Sequence, residues 1–175
     1  MTTKLELALD KVEMNYGELV QIANEMLAPI LGPVTDLVNE VNSRSNHLSI
    51  DQIRDFILRI QLKACEISEI KEKSAFKAEL AVALQKEAFA VAFNGTDGSA
   101  AVKDKLALVA TAEETVTEAL YTLVANLLKA KLDQLHRLVD ALKSILMSRM
   151  QETKFMNIGT SNDIAPTTGR TILNE

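Results

Sequence analysis

Apolar positions along this chain recur at spacings of three and four almost throughout, the mark of helices with one buried face. Leu5, Leu9, Val12, Tyr16, Leu19, Ala23 and Met26 form the first such stripe, predicting a helix capped by Thr2 or Thr3 that runs to about Ala28. Pro29, Gly32 and Pro33 are expected to break it, because proline lacks the amide hydrogen that an interior helical turn requires. A short helix from Pro33 to Val41 presents Val34, Leu37, Val38 and Val41, and the polar run from Asn42 to His47 reads as a loop.

From Ser49 to Phe93, and again from Ser99 to Ile158, the chain contains neither Gly nor Pro. Between these stretches lies Asn94-Gly95-Thr96-Asp97-Gly98-Ser99. Two glycines here, with none on either side, predict one tight reversal between two long antiparallel helices. The outgoing helix starts at Ser49 or Asp51, and its seam runs through Ile53, Ile57, Ile60, Ala64 and Ile67. In the same register it then passes Lys71, Ser74, Ala78, Ala81, Gln85, Ala88 and Ala92. Ala100, Ala101, Ala107, Ala110 and Ala112 answer on the return, so the tip is expected to be slender, with the two backbones close together. Each arm should be about 65–80 Å long at the helical rise.

The return helix shows Val102, Leu106, Val109, Val116, Leu120, Leu123 and Leu127, and then a shifted stripe of Val124, Leu128, Leu135, Leu138, Leu142 and Ile145. Such a stutter widens the apolar face. The N-terminal helices, or other subunits, must cover what one partner helix leaves bare, so a homo-oligomer is expected. The reading is therefore all-α. An N-terminal helical segment (1–48) packs on a long hairpin (49–154, turn 94–99) or on neighbouring subunits, and a polar tail (155–175) follows. Ile53, Ile57, Ile60, Leu128, Leu135, Leu138, Leu142 and Ile145 form the packing or oligomer seam. The tail is expected to be flexible, with Ile172 and Leu173 able to dock on a partner.

Composition agrees with long helices: 47% of the 175 residues are apolar, only 4% are aromatic and there is no Trp. The one cysteine, Cys65, lies in a helical apolar pattern and is expected to be a buried thiol. The first ten residues carry charges where a signal peptide needs an apolar run. The longest apolar stretch, Met26 to Val34, is too short to span a bilayer. A cytoplasmic protein without a membrane segment is expected.

Net charge is −5, which alone argues against a strong nucleic-acid binder, but its distribution is uneven. Residues 124–154 carry Lys129, Lys131, Arg137, Lys143, Arg149 and Lys154 against Asp133, Asp140 and Glu152, net +3. On a helical wheel Lys129, His136, Lys143 and Lys154 share a face with Asp133 and Asp140. Those aspartates are spaced for pairing along the helix, so the face reads either as solvated and self-paired or as a phosphate-binding stripe. Lys131 and Arg149 fall inside the apolar stripe, where they either snorkel, specify an oligomer register or point at a ligand. Asp133-x-x-His136 has a spacing found in metal-binding bundles, but no second such pair accompanies it and His47 sits in a loop. No metal, cofactor or catalytic arrangement is predicted; Glu113, Glu114 and Glu118 read as surface charges. A non-enzymatic protein is expected.

The segment Ala83-Leu-Gln-Lys-Glu-Ala-Phe-Ala-Val-Ala-Phe-Asn-Gly95, followed by Asp97-Gly98, resembles the helix of small residues, aromatic and glycine turn in the UvsY family, the recombination mediators of T-even-like phages. Leu138-Val-Asp-Ala-Leu-Lys-Ser144, with Arg149 close behind, is similar to that family's closing Leu-Asp-Ala-Ile-Lys-Ser-Arg pattern. Lys71 and Lys73 suit the basic start of its first long helix. The resemblance covers about residues 65–154; in this chain Ile145 to Ser148 separates the Lys-Ser from the Arg. It implies an oligomeric accessory to homologous recombination that binds single-stranded DNA and helps load a recombinase. Lys129, Lys131, Arg137, Lys143, Arg149 and Lys154 are then the candidate phosphate contacts. Two alternatives share the hairpin without DNA: a phage structural or assembly protein (virion component, scaffold or chaperone), and a small inhibitor of a host protein.

Overall fold

The structure, a computed structural model, describes the backbone of residues 4–44 and 48–161 and the side chains of residues 16–44 and 48–155. Among these residues all regular structure is helical: α1 (Lys4–Arg44), α2 (Ile50–Gly95), α3 (Ala100–Ala110) and α4 (Ala112–Ser161). The expected caps Thr2 and Thr3, the loop residue His47, and Ile172 and Leu173 lie outside the described residues.

The first expectation to fail is the break at the prolines. α1 is one continuous helix of 41 residues with Pro29 and Pro33 inside it. Both prolines are exposed. Each removes a hydrogen bond to the carbonyl four residues earlier, which frees the carbonyls of Glu25 and Pro29 on that same exposed ridge, open to water. The opposite stripe is buried: Ala23, Leu27, Val34, Leu37 and Val41 are at most 6% exposed and pack into the core with α2 and α4. Burying a large aliphatic side chain is worth about 1.5–3 kcal/mol, so the four large residues of this stripe offset two prolines that cost about 3 kcal/mol each.

α2 begins where its chemistry says it should. The Ser49 hydroxyl accepts from the Gln52 amide at 3.2 Å, and the Gln52 side chain accepts from the Ser49 amide at 2.8 Å, a reciprocal capping box. Its inward stripe of Ile53, Phe56, Ile60, Ala64 and Ile67 continues as Ser74, Ala78 and Ala81. Ile57 is only half-buried, and Phe56, absent from the expected seam, takes the deeper position. Across from them α4 buries Val124, Leu128, Leu132, Leu135, Val139 and Leu142, while Leu138 and Ile145 pack at the edge. The reversal falls at residues 96–99. Gly98 there has φ +134°, a conformation that side-chain-bearing residues rarely adopt.

The return arm is not one helix. α3 ends at Ala110, and the buried Thr111, at 1% exposure, interrupts the run before α4. No Gly or Pro marks the place. Instead hydroxyls take up local carbonyls: Thr111 donates to Leu108 O at 3.2 Å and Thr115 donates to Thr111 O at 2.8 Å. The inward positions keep one seven-residue spacing across it: Ala107, at 0% exposure, continues the line of Glu114, Tyr121, Leu128 and Leu135, whereas Val102, Leu106, Val109 and Val116, the expected stripe, are 47–73% exposed. Ala100, Ala101, Ala110 and Ala112 are exposed as well. The close approach at the tip accepts an alanine where Leu106 would hold the helices apart. Gln85 donates to Thr115 at 2.8 Å and Lys77 lies 4.8 Å over the Tyr121 ring, fixing the antiparallel register. At its far end α4 continues through Gly159 to Ser161, beyond the expected start of the tail.

Two sets of substitutions test this packing. Ala81→Leu and Ala107→Leu should each cost about 1–3 kcal/mol in chemical denaturation by overpacking the seam, whereas Ala110→Leu should stay within about 0.5 kcal/mol. Pro29→Ala should raise stability, by up to about 3 kcal/mol, because it restores a helical hydrogen bond without disturbing the buried stripe.

Candidate nucleic-acid interface

The six cations of residues 124–154 do not form one surface. Along α4, Lys129, His136, Lys143 and Lys154 are exposed and share one edge of the helix, beside the buried stripe. Arg137 is exposed on the outer face of the helix, away from the core. Lys131 is half-buried and lines the cleft between α1 and α4 with Asn24, Leu27, Leu31, Leu127 and Gln134. Arg149 is also half-buried, and its guanidinium donates to the carbonyl of Leu48 in the α1–α2 connection. Leu48 itself is 1% exposed. Of the three roles open to Lys131 and Arg149, the structure gives Lys131 an edge position on the α1 seam and gives Arg149 a tie between α4 and the start of α2.

Beside the Lys129–Lys154 edge, α2 and α4 leave a groove of about 650 Å³ on the side away from α1. One wall is Gln61, Cys65 and Ser68; the other is Leu132, His136, Val139, Asp140 and Lys143, with Ala64 at the floor. The α2 wall carries no charge, so it offers an amide, a thiol and a hydroxyl opposite the cations. Lys143 pairs with Asp140 at 3.8 Å, with both side chains more than half exposed. An ion pair of that kind contributes under about 1 kcal/mol and is readily exchanged for another anion. Lys129 makes no ion pair with any described residue, although Asp133 is one turn away. Seven residues separate Lys129 from His136 and His136 from Lys143, about 10 Å per step along the edge. This spaces Lys129 and Lys143 about 21 Å apart, with the His136 ring between them, along an edge that a flexible polyanion can follow.

Cys65 is exposed, contrary to the expectation of a buried thiol. Ala64 occupies the inward position, and the apolar pattern around Cys65 belongs to a second stripe on the outer face of α2: Leu58, Leu62, Phe76 and Leu80 are 47–65% exposed. That stripe was present in the sequence as apolar residues out of phase with the seam. Gln61 and Ser68 carried no signal of their own, since only the packing of α2 on α4 makes them a wall. Glu113 is an exposed charge, but Glu114 and Glu118 are half-buried, and one carboxylate oxygen of Glu114 is enclosed without a partner among the described residues. Asp133 and His136 are both exposed, and no group of three or more His, Cys, Asp or Glu among the described residues could hold a metal ion. No described helix is long and apolar enough to cross a membrane.

Comparison of the chain with known protein families, with curated proteins and with solved structures gave no match.

The different placements of the cations have separable consequences. Arg149→Ala should cost about 1.5–3 kcal/mol in thermal or chemical unfolding, because it removes a charge-assisted bond to a buried carbonyl. Arg137→Ala, on the outer face, should change stability by no more than about 0.5 kcal/mol.

Proposed function

We propose that this protein is a non-enzymatic, self-associating helical-hairpin protein that binds single-stranded DNA along the Lys129, His136, Lys143 and Lys154 edge of α4, in the manner of the recombination mediators it resembles. The observation that carries the reading is the α2–α4 groove, with Lys143, His136 and Asp140 on one rim and the uncharged Gln61, Cys65 and Ser68 on the other, and with Lys129 and Lys154 exposed on the same edge of α4 beyond it. Three lysines per chain give a weak electrostatic contact. Repetition around an oligomer multiplies it through the effective concentration of neighbouring sites on one strand. The phosphate backbone would be held and the bases left unread, because the groove offers no aromatic platform on which bases could stack. Delivery of the strand to a recombinase is the role that the resemblance attaches to such a protein. Lys131, Arg137 and Arg149 drop out of the binding set, since each is committed to another face or to a backbone carbonyl.

A second reading, a phage assembly or structural protein without a DNA ligand, is favoured by the division of the cations among several faces and by the net charge of −5. Binding of a long single-stranded oligonucleotide at low salt separates the two. In the DNA-binding reading, the affinity falls with added salt, and each of Lys129→Ala, Lys143→Ala and Lys154→Ala lowers the salt slope by about 1 unit without altering sequence preference. Arg149→Ala leaves that slope unchanged. Replacing Asp133 and Asp140 together by Asn should tighten binding. Absence of binding by both the wild type and that double variant would rule out the DNA reading and leave the assembly protein in its place.

A further inference from the structure

α2 carries two apolar stripes: the inner one packs on α4, and the outer one is exposed, with Phe76 and Leu80 bordering a cleft toward Met26, Leu27 and Ile30 of α1. The outer one consists of Leu58, Leu62, Phe76 and Leu80, which are 56%, 58%, 65% and 47% exposed. With Glu69 between them, these positions fall within about 40° of one another on a helical wheel, diametrically opposite the seam with α4. Their order is palindromic: steps of four, seven, seven and four lead from Leu58 through Leu62, Glu69 and Phe76 to Leu80. A two-fold interface needs a patch that is complementary to itself, in which one residue meets a second and the second meets the first. A helix stripe that reads the same from both ends about one residue meets that requirement when two copies pack antiparallel.

We infer that the outer face of α2 is the self-association surface of this protein, pairing antiparallel with α2 of a second copy about a two-fold axis at Glu69. Leu62 then faces Phe76 of the second copy, and Leu58 faces its Leu80. The flanking charges agree with this arrangement. On one side of the stripe, Glu66 comes within one residue of the level of Lys73 of the second copy, and Lys73 within one residue of its Glu66, a step of about 1.5 Å that long side chains span. Both are exposed in the single chain, where they hold only short-range pairs: Lys63 to Glu66 at 2.7 Å and Lys73 to Glu69 at 2.6 Å. Lys73 hydrogen-bonds Glu69 and, by that bond and its charge, holds the Glu69 carboxyl below the ordinary glutamate value. The centre of the contact is therefore charged. On the axis each Glu69 faces its own copy, a like-charge contact that the Lys73 bonded to each carboxyl offsets, so the centre of the seam costs stability and the apolar residues on both sides of it carry the contact. The contact spans the stretch from Leu58 to Leu80, about 33 Å of helix, and buries on the order of 1,000 Å² in total, at the lower limit for a specific interface. A dimer of modest affinity follows, to which other faces can add in a larger assembly.

This inference deepens the self-association in the proposed function and identifies its surface. A cysteine on the two-fold axis tests it directly. In the Cys65→Ala/Glu69→Cys variant the two thiols meet, and mild oxidation should give a reducible covalent dimer in high yield. The native Cys65 residues of two copies lie eight positions apart along the pair, about 12 Å, beyond the reach of a disulfide, so wild type should not cross-link. Nor should Cys65→Ala/Gln134→Cys, with its cysteine exposed on α4. The Leu62→Glu/Phe76→Glu variant should weaken the dimer at least about tenfold in sedimentation across a concentration series. Its helical circular dichroism should not change, because both positions are exposed in the single chain. If the wild type dimerises, but the Cys65→Ala/Glu69→Cys variant does not cross-link and the glutamate variant dimerises as well as wild type, the α2 surface is overturned while self-association stands. A wild type that stays monomeric throughout the series would overturn both.

Discussion

The close antiparallel contact of α2 with α4 is the constraint on which the rest of the molecule depends. Large aliphatic residues of α2, from Ile53 to Ile67, meet Leu128 to Leu142 near the α1–α2 connection. Serine and alanine, from Ser74 to Ala81, line it toward the tip. Interaxial distance follows side-chain size, so the pair is wide at the base and narrow at the tip. The wide end leaves a groove on each side. One accepts α1 and is sealed by Leu27, Val34, Leu37 and Val41; the other stays open and carries the candidate anion-binding edge. Toward the tip the larger apolar residues of α3 are turned outward.

The seam keeps its seven-residue spacing through Thr111, so the position that meets the alanines of α2 falls to Ala107 and the larger side chains of α3 are turned outward. The cost is exposure of Val102, Leu106 and Val109 at the tip.

The same packing divides the cations by role. Arg149 lies where α4 passes the α1–α2 connection, and there its planar guanidinium reaches the Leu48 carbonyl. Lys131 lies on the α1 side of α4, half-buried in a cleft that Leu27 and Leu127 also line. Lys129, Lys143 and Lys154 lie on the open side, where Lys143 pairs with Asp140 and Lys129 has Asp133 one turn away. A charge count over residues 124–154 sees six equivalent cations; the fold leaves three lysines in a position to share a polyanion.

Much of this architecture was legible in the chain itself. The glycines at 95 and 98, set in two long runs lacking Gly and Pro, determine where the chain reverses. The Ser49/Gln52 pair determines where α2 starts, and the spacing of three and four determines which residues of α2 and α4 point inward. These are local properties, each settled within one or two helical turns. What lay beyond the sequence depends on neighbours distant along the chain. Pro29 and Pro33 could not be read as interior helix, because their cost is offset only by a buried stripe that needs α2 and α4 to bury it. Cys65 could not be read as exposed until α4 had selected one of the two apolar stripes of α2 as the inside. Local periodicity identifies the faces a helix can bury; only packing decides which of them it does.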